Sequence, residues 1–148
     1  MSVGDKVRMR WFIQADLRAC VDIDALAYDD FWGEPEFTAH LRKRNGIAYI
    51  AESDEEIRGY ICYESMEDHF RIVRLAVHPD DRRQGYGRYL LSRLERKFTA
   101  RKCHADAVLN ERNVGGLAFM RACGYRALQV LRGEFGEDDG YLMRKVMG

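Results

Sequence analysis

The chain has 148 residues, 47% of them apolar, and its 24 Lys and Arg balance 24 Asp and Glu to a formal net charge of zero. That length suits one domain, residues 1–148, burying about 68–70% of its unfolded surface without disulfides or metals. The absent net charge argues against a protein that coats nucleic acid. Met1–Lys6 holds no apolar core of signal-peptide length, and no run approaches the roughly 20 apolar residues of a membrane span. Cys20, Cys62, Cys103 and Cys123 are scattered without a Cys-x-x-Cys pair. A cytoplasmic protein with reduced, mainly buried thiols and no membrane partner is therefore expected.

Val7–Phe12 reads as a first strand, and Asp16 can cap a helix whose Leu17, Cys20, Val21, Ile23, Leu26 and Ala27 form an apolar stripe. Pro35 suits the first turn of a second helix, which ends before Asn45-Gly46. Ile47–Ala51 and Ile57–Tyr63 form a hairpin joined by residues 52–56. Ile72–Val77 is a strand closed by Pro79, Tyr86–Lys97 a helix and Ala105–Leu109 a strand. Val114–Ala122 is a helix stopped by Gly124, and Tyr125–Leu131 pairs with Tyr141–Val146 across an acidic loop from Gly133 to Gly140. The order β, α, α, β, β, β, α, β, α, β, β predicts an α+β fold with one mixed, mostly antiparallel sheet flanked by helices.

The segment Arg71–Leu91, RIVRLAVHPDDRRQGYGRYLL, carries the strongest chemical signal. A strand runs into Arg82-Arg83-Gln84-Gly85-Tyr86-Gly87 and then a helix, so backbone N–H groups at the glycines and the positive helix end converge where an anion fits. Arginine adds charge-assisted donors there. Tyr86 has two readings, packing near a ligand or anchoring its helix with Leu90. His78 reads as an exposed turn histidine, and no His, Cys and carboxylate set recurs at metal-ligand intervals.

Arg82, Gly85 and Gly87 match the [QR]-x-x-G-x-[GA] signature of the GNAT superfamily of acyl-CoA-dependent N-acyltransferases. Leu75-Ala76-Val77-His78-Pro79 before it, and Asn113 and Gly124-Tyr125 after it, extend the resemblance over nearly the whole chain. Phe31-Trp32, Glu36-Phe37 and Leu41 look like the bacterial ribosomal-protein alanine N-acetyltransferase group. The resemblance implies acetyl-CoA as co-substrate and no metal. It also implies a cofactor site of Leu75, Ala76, Val77, Arg82, Arg83, Gln84, Gly85, Tyr86, Gly87, Arg88, Asn113 and Phe119, with the backbone of Leu75–Val77 pairing with the pantetheine arm. Asn113 alternatively only caps its helix.

The implied reaction is direct attack of a neutral amine on the acetyl thioester, with an acid protonating the departing thiolate. The family's usual proton carriers are missing, because Val108, Arg74 and Met120 stand at their positions. Glu64 as base and Tyr125 or Tyr141 as acid are candidate replacements. Their structural alternatives are a solvated hairpin charge, a packed aromatic after glycine and a sheet aromatic. An α-amine is about a quarter neutral at pH 7.4 and lysine about one part in a thousand, which favours a protein N-terminus or a small amine as acceptor. A silent acyl-CoA-binding module is the alternative, nucleic acid is not expected as a partner, and the chain is expected as a monomer or homodimer.

Overall fold

A computed structural model describes residues 7–148; the Met1–Lys6 stretch lies outside them. Among the described residues, seven strands form one sheet: β1 (Arg8–Trp11), β2 (Gly46–Ser53), β3 (Glu56–Ser65), β4 (Phe70–Val77), β5 (His104–Asn110), β6 (Arg126–Phe135) and β7 (Asp138–Val146). Their order across the sheet is β1-β2-β3-β4-β5-β7-β6, and only β4 and β5 run parallel. This is the α+β architecture the element order predicts. The helices are α1 (Leu17–Ala27), α2 (Glu34–Arg42), α3 (Tyr86–Glu95) and α4 (Val114–Ala122).

Alternation along β3 explains why helices cover both faces. Ile61 and Tyr63 enter a core with Leu90, Leu91 and Leu94 of α3 and Met120 of α4, whereas Tyr60 and Cys62 enter a second core with Cys20 and Ile23 of α1 and Phe37 of α2. The α1 and α2 cover reaches β2–β4 but leaves that face of β5–β7 open, where Val108 is 40% exposed. Cys20, Cys62 and Cys123 are buried, and all four thiols are free.

Local chemistry departs from expectation at three places. Asp16 does not cap α1: its carboxylate accepts from the Ile13 N–H at 2.8 Å and forms two 2.8 Å bonds with Arg10, tying β1 to the helix start. Leu26 lies on the outer side of α1 and is exposed. The expected acidic loop between Gly133 and Gly140 is mostly strand, because β6 and β7 extend to Phe135 and Asp138 and leave a short turn. The β2–β3 turn is equally tight, with Asp54 and Glu55 both at positive φ, the conformation a two-residue hairpin needs.

Candidate functional site

β4 and β5 pair only through Phe70–Ile72 against Ala105–Ala107 and then part. The parting begins at a register shift: β3 pairs Tyr63 with Ile72 but Cys62 with Arg74, leaving Val73 as an extra residue. Such a bulge bends the strand and increases its twist. Beyond it, β4 remains bonded to β3 on one side and has a free edge on the other.

The direction of the free groups follows from register. The His78 N–H donates to the Arg58 carbonyl at 2.8 Å, so with Gly59 opposite Val77, alternation turns Ala76's backbone groups towards β3. Those of Leu75 and Val77 face the gap. A cleft of about 700 Å³ opens there, lined by Leu75, Ala76 and Val77 of β4, the loop after it, and α4 residues on the far side.

At one end of the cleft the chain forms a cradle of left-handed backbone. Pro79–Asp81 is a short turn capped by the His78 ring, which accepts from the Asp80 N–H at 3.1 Å. Arg58 holds Asp81 at 3.3 Å from outside. Arg83 and Gly85 then take positive φ, 64° and 93°, and Gly85 leads directly into α3. Left-handed residues beside a helix start turn successive N–H groups inward, a concavity suited to phosphate oxygens. Arg82 and Arg83 line the cleft, and neither has a carboxylate partner among the described residues.

The remaining expected cofactor residues are distributed as follows. Tyr86 and Gly87 line the cleft while buried, so Tyr86 also anchors α3. Arg88 lines it and donates to the Ala122 carbonyl at 3.1 Å, which completes the end of α4. Gln84 turns its amide to the Asp80 carbonyl at 3.4 Å and is not part of the lining. Asn113 does both things the sequence left open: its Oδ1 accepts from the Gly116 N–H at 2.9 Å as an α4 cap, and its side chain borders the cleft with Phe119. Its Nδ2 has no hydrogen-bond partner among the described residues.

The three expected proton carriers do not meet at this cleft. Glu64 lies opposite Arg71, at the other end of the β3–β4 pair from Val77, and bonds Lys43 at 2.8 Å and Arg71 at 3.2 Å. Burial alone would raise its pKa, but the bond to Lys43 and the charges of Lys43 and Arg71 hold it below the usual range. Tyr125 is fully buried and donates to Glu95 at 3.1 Å; burial, then the Glu95 charge, pushes its pKa up. Tyr141 is a sheet residue between Leu109 and Val130, packed on the core. Met120 is buried in that core.

Arg74 is equally committed. Its guanidinium makes two 2.9 Å bonds to the fully buried Asp24 carboxylate and one of 3.0 Å to the Asp30 carbonyl, and it lies 3.7 Å from the centre of the Tyr28 ring. Asp24 also accepts from the Tyr60 hydroxyl and the Trp32 N–H. The sequence reading missed Tyr28, which ends α1, lines the cleft and donates its hydroxyl to the Leu75 carbonyl at 2.6 Å. No local motif marks it, since its partner is 47 residues away. Among the described residues no group of His, Cys, Asp and Glu gathers as a metal site, and no helix is long and apolar enough to cross a membrane.

The fold agrees with comparisons to known proteins. A search of curated proteins finds no significant match. Solved structures similar to the chain include the ribosomal-protein-S18-alanine N-acetyltransferase from Escherichia coli, with 19% identity, 96% of this chain and 94% of that one covered, and TM-score 0.81. Another is Chaetomium thermophilum Naa20 in complex with a bisubstrate analogue, with 23% identity, 95% and 86% covered, and TM-score 0.81. A third is a GNAT family acetyltransferase from Elizabethkingia anophelis with acetyl-CoA bound, with 18% identity, 97% and 100% covered, and TM-score 0.76. At these identities the likeness is one of fold. The family model described as the acetyltransferase (GNAT) family matches residues 17–125, which is most of the chain, and the chain belongs to that family.

Proposed function

We propose that this chain, acting as a single catalytic domain, transfers an acetyl group from acetyl-CoA to the α-amine of a peptide or protein N-terminus. The observation that carries the reading is the unpaired edge of Leu75 and Val77 running into the left-handed Arg83–Gly85 cradle. Pyrophosphate oxygens fit the cradle, and an amide-bearing arm fits the strand edge as an added partner. The remaining free N–H groups of that edge are suited to polarise the thioester carbonyl. The Elizabethkingia anophelis relative carries acetyl-CoA, which supports the same co-substrate here.

The acceptor follows from the missing base. Val108 is apolar, Arg74 is held by Asp24, and Glu64 is far from the cleft. An acceptor that arrives partly neutral suits such a site, and α-amines are neutral at about 250 times the fraction of lysine near pH 7.4. The likeness to the ribosomal-protein-S18-alanine enzyme and to Naa20 supports this choice. A cytoplasmic setting fits the free thiols.

The test is thermal unfolding with and without acetyl-CoA, followed by thiol release with panels of N-terminal peptides, lysine peptides and small amines. Stabilisation by acetyl-CoA with release on N-terminal peptides is expected. No stabilisation at millimolar acetyl-CoA overturns the cofactor site, and steady preference for lysine peptides or small amines overturns the acceptor.

A further inference from the structure

The geometry points to Tyr28 as the catalytic residue that protonates the departing thiolate, in place of the acid missing from α4. This inference rests on the acetyl-transfer reading above. If the diphosphate lies in the Arg83–Gly85 cradle, the arm runs back along β4 and its sulfur end comes to the neighbourhood of Leu75. The Tyr28 hydroxyl is held at that residue, 2.6 Å from its carbonyl and on the open side of the strand. Of the other tyrosines, Tyr60 is spent on buried Asp24 and Tyr125 on Glu95, Tyr141 does not line the cleft, and Tyr86, which does, is packed into the core with α3.

The surroundings of Tyr28 suit a proton that is lent and returned. Burial pushes its pKa up, and the Arg74 guanidinium against its ring acts in the opposite sense by favouring the phenolate. The charged groups facing it are Arg74, Asp24 and Asp30. The hydroxyl therefore stays protonated where an α-amine is neutral.

The step balances as follows. The amine nitrogen bonds to the thioester carbon, and the carbonyl electrons move to oxygen and then return as the C–S bond breaks. The Tyr28 proton passes to sulfur, giving the free thiol. The surplus proton on the new amide nitrogen passes, directly or through water, to the phenolate and restores it.

Tyr28→Phe is expected to lower kcat roughly 100-fold, within the range for loss of a general acid, while the Kd for acetyl-CoA changes less than about threefold. With CoA bound, the thiol is expected to titrate at higher pH in Tyr28→Phe than in the native protein, because the donor that favours its thiolate is gone. Ultraviolet absorbance of the thiolate reads this without turnover. Since the same change also frees the Leu75 carbonyl, replacement of Tyr28 by 3-fluorotyrosine serves as the second variant. It keeps the hydrogen bond, and it should move the alkaline limb of kcat to lower pH.

An unmoved limb, an unmoved thiol titration, or a Tyr28→Phe effect confined to KM and Kd overturns the assignment and leaves Tyr28 a strand-edge support. Failure of the native protein to bind acetyl-CoA overturns the underlying function instead.

Discussion

Gly87 of α3 and Phe119 of α4 meet so closely that a Cβ on residue 87 would lie 2.8 Å from Phe119 Cζ. The second glycine of the loop is thus required by helix packing. Phe119 also lines the cleft. In Gly87→Ala the ring has to give way, and part of the cost is offset because alanine favours the helix by about 1 kcal/mol. We expect a small change in stability but a clear loss of acetyl-CoA affinity, about tenfold, measured by calorimetric titration.

Arg74 and Asp24 predict the opposite balance. Asp24→Asn removes the charge opposite a guanidinium that is only 11% exposed, and breaking a buried pair from one side costs about 3–5 kcal/mol. The same carboxylate holds the Trp32 N–H and the Tyr60 hydroxyl, so the segment after α1 loosens too. Chemical denaturation should show this loss, and the double variant Asp24→Leu, Arg74→Met should recover part of it.

Arg83 separates backbone from side chain. Its φ of 64° is one that glycine adopts without strain. Arg83→Gly should leave stability unchanged or raised by about 1 kcal/mol or less, while acetyl-CoA affinity falls by about 1.5–3 kcal/mol through loss of a charge-assisted bond. The difference in affinity should shrink as salt is raised.

Glu64 provides a pH signature. Its folded pKa is lowered, so its contribution is full above the unfolded value of about 4.3 and is lost as pH falls through the folded one. Its partners Lys43 and Arg71 are about half exposed, which limits the effect to about 1 kcal/mol or less. Glu64→Gln should therefore lower the unfolding midpoint at pH 7 but not under acid conditions below the folded pKa. Acetyl transfer should be unchanged, because the residue is remote from the cleft.

The elements were legible where one physical signal dominated. Apolar periodicity placed α3 and α4, and the glycines with the arginines before them marked the cradle, since both are local in sequence. The length of β6 was not legible, because that edge strand is exposed along almost all of its residues and has no buried stripe to read. Asp16 looked like a cap because its type and position fit, but Arg10 and the Ile13 N–H claim its oxygens. The proton carriers were hardest. Glu64, Tyr125 and Tyr141 have suitable chemistry near strand ends, yet pairing register decides which end faces the gap, and Tyr28 reaches Leu75 only through the tertiary fold.

The parting of β4 and β5 also bears on what kind of chain can add to the sheet at that point. Unpaired strand edges invite other chains to add on, and most proteins protect them at the rim of a sheet. Here such an edge lies in the middle of the sheet. Phe70–Ile72 closes it at one end, the Pro79 turn follows it at the other, and the Tyr28 hydroxyl already occupies the Leu75 carbonyl. A long, flat strand from a second molecule finds too short a template, whereas a slender chain with one or two amides does not need more. At this gap the short, interrupted edge therefore selects against a long added strand.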